Sequence, residues 1–299
     1  MTTTTPAPAR SAGLRDLVAR LSGQRRGHTT AIDRIALGTA GFMVLLALVG
    51  PYLTPMDPYA VNLPDALTPP GSEYWLGTDA NGRDILSRIL AGGRTTLLAT
   101  VAVIAAATVI GTVIGTAAAL GGRIIDEILM RICDVGLSLP AIVVALGLAA
   151  AMGPSLQSAV IALAATWWPG YARLVRTLVR EVRDAEFVES ARVLGVSRTR
   201  LVLRHVLPNS LSALYVQTTL DVSAVMLVIS GLSFVGVGAQ VPASEWGAMI
   251  AASRDTAITA WWTVLFPGLA IAITAVAFNL VGDWLRVRTD PTLRAGGRR

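Results

Sequence analysis

The sequence predicts an all-α, polytopic membrane protein with six transmembrane helices. Hydrophobic residues make up 53% of the 299 residues and charged residues only 15%, whereas a soluble globular domain carries roughly 25% charged residues. The apolar residues fall in uncharged runs that are too long for a soluble core. About 20 such residues are enough to cross the hydrocarbon of a bilayer, so the composition favours a membrane protein.

Six apolar runs are long enough to be spans. The run at 135–172 is too long for one helix, and Met152-Gly153-Pro154-Ser155 splits it because glycine and proline favour a tight turn. We expect Pro140, Pro169 and Pro267 to kink spans three, four and six. The six predicted spans cover about residues 35–53, 95–120, 135–152, 155–173, 209–236 and 258–282.

The arginine residues assign the two sides of the membrane, because cytoplasmic loops are enriched in basic residues. Residues 1–34, 121–134, 171–208 and 285–299 carry six, two, eight and five of the 25 Arg residues, whereas 54–94 and 237–255 carry three and one. Six spans place both termini on one side, which is then cytoplasmic. The predicted organisation is a cytoplasmic tail (1–34), a transmembrane domain (35–284) with an extracytoplasmic loop (54–94) and a cytoplasmic loop (174–208), and a cytoplasmic tail (285–299).

The net charge of +6 reflects this topology and not a nucleic-acid partner, so membrane lipids are the partner that it implies. Leu14, Leu17 and Leu21 lie at helical spacing among Arg residues, which predicts either a short helix on the inner membrane surface or a disordered basic tail. No early apolar run indicates a secretory signal peptide. The single cysteine, Cys133, excludes an internal disulfide and a Cys-based zinc site.

Two features inside the spans carry further predictions. Gly111 and Gly115 form a small-xxx-small pattern, which permits close helix approach, although the same pattern is ordinary in an Ala-rich helix. Asp221 is the one clear charge within a predicted span, and such charges usually have functional or bundle-facing roles. We expect Asp221 to line a translocation path or to pair at an interface, with a structural role as the alternative.

The most informative segment is an Arg-rich island between two apolar spans. Phe187, Ala191 and Leu194 recur at i, i+4 and i+7, which predicts an apolar stripe on a short helix that fits a groove of another protein. The alternative is a solvated basic loop that follows the charge rule for cytoplasmic loops. The ordered residues of the island are Glu189-Ser190-Ala191, Gly195 and His205-Val206-Leu207-Pro208.

Each position of the island has a local physical role. Gly195 can adopt a positive φ and end the helix, and Pro208 fixes the start of span five. Small Ala191 permits close approach to a groove, and Glu189 can pair with a partner's basic residue or with a local Arg. For His205 we expect a structural hydrogen bond and not a metal or proton site.

Further motifs lie in order along the chain. They are Leu76-Gly-Thr-Asp79-Ala-Asn-Gly82-Arg83-Asp84 followed by Ser87-Arg88, Asp126-Glu127 with Arg131 and Asp134, Leu232–Gly238 followed by Glu245-Trp246-Gly247, and Phe266-Pro267-Gly268 followed by Asn279–Asp283. Together with the island, they resemble the second permease subunit of bacterial dipeptide, oligopeptide and nickel ABC importers. The resemblance covers about residues 33–291, and Ser190 replaces the Ala that is usual in the family.

The resemblance implies the type I ABC importer fold in the bacterial cytoplasmic (inner) membrane. It also implies three kinds of partner: a second homologous permease, two cytoplasmic ATPase subunits and an extracytoplasmic substrate-binding protein. The island residues Glu189, Ser190, Ala191, Gly195, His205, Leu207 and Pro208 would couple the permease to the ATPase. Contact with the sister permease or the binding protein is expected at Asp79, Gly82, Arg83 and Asp84, with a charged surface loop held by local ion pairs as the alternative.

The expected activity is transport and not catalysis by this chain. A P-loop needs a Lys and this chain has none, so ATP and Mg would be used by partner subunits and no cofactor or metal would be bound here. The expected cargo is a di- or oligopeptide, with nickel, glutathione or another small molecule as alternatives. A secondary transporter driven by an ion gradient and a membrane enzyme are the competing classes, and the few polar groups in the spans favour neither.

Overall fold

The computed structural model describes residues 31–289. The predicted surface helix within 1–34 therefore lies almost wholly outside the described residues, as does the last part of the predicted C-terminal tail. Among the described residues, the side chains of Arg192, Arg198, Thr199, Leu203, His205, residues 209–212 and Thr289 are not described.

Helices make up the regular structure of the described chain, in agreement with the predicted all-α class; one isolated β-bridge joins Thr78 and Asp84. A π-helical turn (Val202–Val206) runs into α8, and 3-10 turns lie at Gly50–Tyr52, Leu63–Asp65 and Arg254–Thr256. The helices are α1 (Ala31–Val49), α2 (Ile85–Leu120), α3 (Arg123–Ser138), α4 (Ala141–Met152), α5 (Leu156–Arg183), α6 (Glu186–Val193), α7 (Arg198–Leu201), α8 (Leu207–Val235), α9 (Trp246–Ala252) and α10 (Trp262–Thr289).

Within residues 31–289, four helical segments are long and apolar enough to cross a membrane. They are Ala31–Tyr52, Ile85–Leu120, Ala213–Val235 and Trp262–Arg288. Helices α3 and α4 pass the same test together, as a pair bent by 87°. Helix α5 is not among these segments, so length and composition give four or five spans where the sequence predicted six.

Several helix boundaries differ from the predicted ones. Helix α2 begins at Ile85 and not near residue 95, because the Asp84 side chain caps it by accepting from the Ser87 N–H at 2.8 Å. The predicted span 135–152 is divided, because Pro140 forces the preceding Leu139 into an extended conformation (φ −102°, ψ 144°) that ends α3. Pro169 and Pro267 lie inside the continuous helices α5 and α10.

The most extensive helix contact joins α2 to α5, and two glycines permit it. A Cβ atom added at Gly111 would lie 2.4 Å from the Tyr171 Cβ, and one at Gly115 would lie 2.4 Å from the Ala172 carbonyl oxygen. The predicted close approach at this small-xxx-small pattern is therefore confirmed. Helix α8 packs beside this pair, and fully buried Val103, Leu163 and Ile229 from the three helices share one core.

Contacts that involve the loops join the helices at each end of the bundle. At the Arg-poor end, the Trp262 Nε1–H donates to the Thr78 carbonyl oxygen at 3.1 Å, which joins α10 to the loop before α2. At the Arg-rich end, an Arg183 Nη1–H donates to the Ala119 carbonyl oxygen at 3.1 Å, which joins α5 to the end of α2. We call these the outer and inner ends below.

We expect Gly115→Ala to lower the thermal unfolding midpoint of the purified protein. The added methyl group overlaps the backbone of α5, and overpacking of this kind costs about 1–3 kcal/mol. Gly147→Ala is the matched control, because a Cβ atom there meets nothing within 4 Å and the gain in helix propensity is the same. Equal midpoints for the two variants would contradict the close α2–α5 contact.

Candidate functional site

The island folds as a short helix that ends in a glycine turn. Helix α6 ends at Val193, and Gly195 follows with φ +77°. The Val196 N–H donates to the Ala191 carbonyl oxygen at 3.2 Å, which is the hydrogen bond of a Schellman cap. The prediction that Gly195 adopts a positive φ and ends the helix is confirmed.

One face of the island packs against its own helix bundle. Val188 is fully buried, and Leu201 and Val206 are nearly so. They share an apolar cluster with Val175 and Val179 of α5, and Ala191 and Val196 pack against the edge of that cluster. This contact lies along the inner end of α5, so the island is close-packed against that helix.

The opposite face of the island carries exposed apolar side chains. Phe187, Val193 and Leu194 have 47%, 80% and 84% of their surface exposed. The predicted stripe of Phe187, Ala191 and Leu194 is therefore wrong as a single outward face. Ala191 lies three residues after Val188, and the packing of Val188 on α5 turns Ala191 inward.

The remaining island residues have different surroundings. Glu189 and Ser190 are exposed, and the Ser190 hydroxyl donates to the Glu186 carbonyl oxygen at 3.0 Å within α6. Leu207 packs against the island cluster. Pro208 lies exposed in the first turn of α8, directly after the π-helical turn, and its role in fixing the start of span five stays a prediction. The side chain of His205 is outside the described residues, so its structural role stays a prediction.

An ion cluster joins the inner ends of α3 and α5. Sequence reasoning did not identify this cluster. The Asp126 carboxylate accepts from Arg176 through Nε and through Nη2 at 2.7 Å, and from Arg180 Nη2 at 2.7 Å. A second pair joins Arg173 to Asp134. The available signal was the four-residue spacing of Arg176 and Arg180, which places both guanidinium groups on one face of α5.

Three of the four predicted extracytoplasmic contact residues shape their own loop. The Asp79 Oδ1 accepts from the N–H groups of Asn81 and Arg83 at 2.8 and 3.0 Å. Gly82 has φ +71°, and a Cβ atom there would lie 1.7 Å from the Asn62 carbonyl oxygen. Asp84 is buried and accepts from the Ser87 hydroxyl at 2.6 Å. Arg83 differs from them, since its buried Nε has no hydrogen-bond partner among the described residues.

Arg88 holds the outer loops together, a role that the sequence alone did not reveal. Its side chain is buried, and Nη1 and Nη2 donate to the carbonyl oxygens of Pro58 at 3.0 Å and Ala243 at 3.2 Å. Its Nε lies 3.6 Å from the Asp79 Oδ2. One guanidinium therefore joins the loop before α2 to the loop between α8 and α9.

The loop before α2 also has an internal clasp. The Tyr74 hydroxyl donates to the Asp65 Oδ2 at 2.8 Å, and this hydrogen bond raises the pKa of Tyr74. The Thr78 hydroxyl donates to the Asp65 carbonyl oxygen at 2.5 Å. These contacts make the segment a folded part of the outer end.

A buried carboxylate organises the other outer loop. Glu245 is fully buried and caps α9, since Oε1 accepts from the Gly247 N–H at 3.0 Å and Oε2 from the Ala248 N–H at 2.9 Å. The Trp246 N–H donates to the Thr96 hydroxyl at 3.2 Å, which ties this cap to α2. The Glu245-Trp246-Gly247 motif was the sequence signal, but its capping role required the structure.

Asp221 lies half-buried between α5 and α8. Its Oδ1 accepts from the Gln217 side-chain amide at 3.0 Å, and its Oδ2 from the Trp167 Nε1–H at 3.4 Å. Both carboxylate oxygens thus have donors from this chain. These contacts favour the structural alternative, while contact of Asp221 with cargo or a second subunit stays a prediction.

This arrangement of apolar helices, an exposed glycine-capped island and clasped outer loops agrees with the comparisons with known proteins. Residues 108–295 match the family of binding-protein-dependent transport system inner membrane components. The chain belongs to this family. It is therefore an inner-membrane permease component of an ABC importer, as the motifs implied, and is not the ATP-hydrolysing subunit.

Similar proteins extend this result to most of the chain. It is 44% identical over 257 residues to the probable D,D-dipeptide transport system permease protein DdpC of Escherichia coli K12, with 86% of this chain and 85% of that protein covered. It is 38% identical over 260 residues to the nickel transport system permease protein NikC of the same strain, with 87% and 94% covered.

A solved structure agrees at the level of the fold. The inward-facing MetNI methionine ABC transporter matches with a TM-score of 0.50 at 18% identity, covering 66% of this chain and 95% of that chain. This similarity supports the type I importer fold and carries nothing about cargo.

We expect Asp126→Asn to destabilise the inner end by about 1–3 kcal/mol, because two guanidinium groups lose their charged acceptor. The measurement is the thermal unfolding midpoint of the purified permease, with Glu127→Gln as control. Glu127 is the next residue in the sequence and is exposed, and its substitution removes the same charge. A midpoint for Asp126→Asn no lower than that of the control would show that the ion cluster contributes nothing to stability.

Proposed function

We propose that this permease transmits the motion of a cytoplasmic ATPase through residues 186–208, which we call the coupling segment. The observation that carries the proposal is the two-sided structure of this segment. Its inner face is packed on α5, and its outer face exposes Phe187, Val193 and Leu194. Exposed large apolar side chains beside a rigid turn are typical of a surface that docks into a groove.

The exposed tip of the coupling segment, formed by Val193 and Leu194, is positioned to transmit motion of a bound partner to the bundle. Gly195 and the Schellman cap hold Val193 and Leu194 at the corner of the segment. The buried face, with Val188 and Val206, moves with α5 because close-packed surfaces do not slide freely. Docking energy at the tip is thereby converted into movement of α5 and α8.

The proposed topology has six spans. Four are the apolar segments of α1, α2, α8 and α10, and the fifth is the bent pair of α3 and α4. We assign the sixth to α5, whose neighbours α2, α4 and α8 cover much of its surface. A helix shielded by protein has less need of apolar side chains than one that faces lipid. Six spans place both termini on the inner, Arg-rich side, which is cytoplasmic.

We propose alternating access as the mechanism, with a homologous second permease completing the pore. ATP binding closes two ATPase subunits, the coupling segments of both permeases follow, and the pore turns outward. Hydrolysis then returns it to the inward-facing state. The absence of Lys rules out a P-loop in this chain, so ATP and Mg belong to the ATPase subunits and this chain binds no cofactor.

We propose a short peptide as cargo, delivered by an extracytoplasmic binding protein. This rests on the 44% identity to a D,D-dipeptide permease, against 38% to a nickel permease. The assay is uptake into proteoliposomes that contain the whole transporter, its binding protein and internal ATP. Uptake of nickel and not of dipeptides would overturn the cargo assignment, and uptake without the ATPase subunits would indicate an ion-gradient transporter.

We expect Gly195→Val to abolish most uptake, because a β-branched residue at φ +77° is strained and shifts the tip. Open space surrounds this position, so the effect comes from backbone conformation and not from a clash. Gly195→Asn is the matched control, since Asn tolerates the left-handed region. Retained uptake in both variants would refute the role of this turn.

We expect Leu194→Asp to weaken association with the ATPase subunits by about tenfold or more, since a charge would be buried in an apolar groove. The folded permease itself should be unaffected because Leu194 is 84% exposed. Affinity is measured by titrating purified ATPase onto permease in nanodiscs. The control is Ile258→Asp, an equally exposed apolar residue at the outer end (97%), and equal affinities for the two variants would contradict docking at the tip.

A further inference from the structure

One side chain of the Leu76–Asp84 motif lacks a partner in the described part of the chain. Arg83 is only 8% exposed, and its Nε is buried without a hydrogen-bond partner. The ion pairs found among the described residues do not include Arg83. A buried cation without a counter-charge is unfavourable, so a group from outside the described part of the chain is expected to complete it.

Arg83 lines a cleft at the outer end. The nearby Asp79 does not neutralise it, because Oδ1 accepts from backbone N–H groups and Oδ2 faces Arg88 at 3.6 Å. The cleft thus presents one unmatched positive charge. Its other walls include Asn81, Val241, Ala248 and Ser253.

The rest of the motif holds Arg83 in position. The Arg83 N–H donates to the Asp79 Oδ1 at 3.0 Å, and the Asp79 N–H donates to the Arg83 carbonyl oxygen at 3.0 Å. Gly82 and the Thr78–Asp84 bridge complete this tight turn. These contacts fix the backbone at Arg83, and burial restricts its side chain, so the guanidinium loses less conformational entropy when it binds.

The chemistry of the site selects a carboxylate. A guanidinium presents a planar set of N–H donors that matches a carboxylate, and water is largely excluded here. The cleft opens between two outer loops, where Val241 is 63% exposed at the rim, and not between the apolar faces of the spans. The partner that reaches this surface is a protein docked on the outer end.

We propose that Arg83 receives one acidic side chain of the extracytoplasmic substrate-binding protein when that protein docks on the permease. This inference rests on the proposed function, since it requires an importer that uses such a protein. It gives the residues of the Leu76–Asp84 motif two different roles. Asp79, Gly82 and Asp84 build the turn, and Arg83 makes the contact.

The test measures the affinity of the purified cognate binding protein for the complete transporter in nanodiscs. We expect Arg83→Gln to raise the Kd at least about tenfold, because it leaves the partner's carboxylate without its cation. Arg83→Lys keeps the positive charge but loses the planar set of N–H donors, so it should give an intermediate Kd. Arg254→Gln is the matched control at the outer end, since exposed Arg254 already stacks on the Phe234 ring at 4.9 Å.

If Arg83→Gln does not assemble, Arg83→Lys and the wild-type transporter are titrated against a set of binding-protein variants. Each variant has one surface Asp or Glu replaced by Lys. One such replacement should raise the Kd for the wild-type transporter as much as the Arg83 substitution does. If none of these replacements raises the Kd in this way, the proposal is wrong.

Two further results separate the inference from its premise. The first is an unchanged Kd for Arg83→Gln together with a KM for uptake that this variant raises for a peptide with a free C-terminus but not for its C-terminal amide. This result would assign the carboxylate to the cargo and refute the proposal. A wild-type transporter whose ATPase activity and uptake ignore the binding protein would instead refute the proposed function.

Discussion

The contact of α2 with α5 at Gly111 and Gly115 is the constraint on which the rest of this permease depends. Glycine removes the side chain that would otherwise overlap the backbone near Tyr171 and Ala172, so the two helices approach closely over most of their length. Helix α5 is thereby held in the centre of the bundle, with α4 and α8 beside it. At the inner end, the ion cluster of α3 and the island both pack on this helix.

The two ends of the bundle are built in different ways, and this fits their separate roles. At the inner end, Asp126 bridges to α5 through ion pairs while the coupling segment packs on α5 through aliphatic contacts. At the outer end, buried Arg88 and Glu245 use backbone carbonyl and N–H groups of the loops as their partners. The outer loops are thus rigid surfaces, whereas the inner segment leaves an apolar tip exposed for a partner.

Much of this organisation was predictable because it depends on local chemistry. The apolar runs, the Gly153–Ser155 turn and the positive φ of Gly195 each depend on a few neighbouring residues. The Arg distribution assigns the loops to two sides of the membrane, because the charge rule acts on whole loops, and this assignment stays a prediction. The start of α2 at Ile85 was missed because Arg88 appears incompatible with a helix entering a membrane, until its burial and the Asp84 cap are known.

The sequence by itself therefore determined the helical class, the family motifs and the glycine-capped island. Only the tertiary structure decided which side chains face inward. Ala191 turns toward the bundle because Val188 packs on α5. Arg88 donates to carbonyl oxygens that are distant in the chain, whereas the Arg83 Nε has no partner among the described residues. Such choices depend on contacts between residues that are distant in sequence, and no local pattern of residues encodes them.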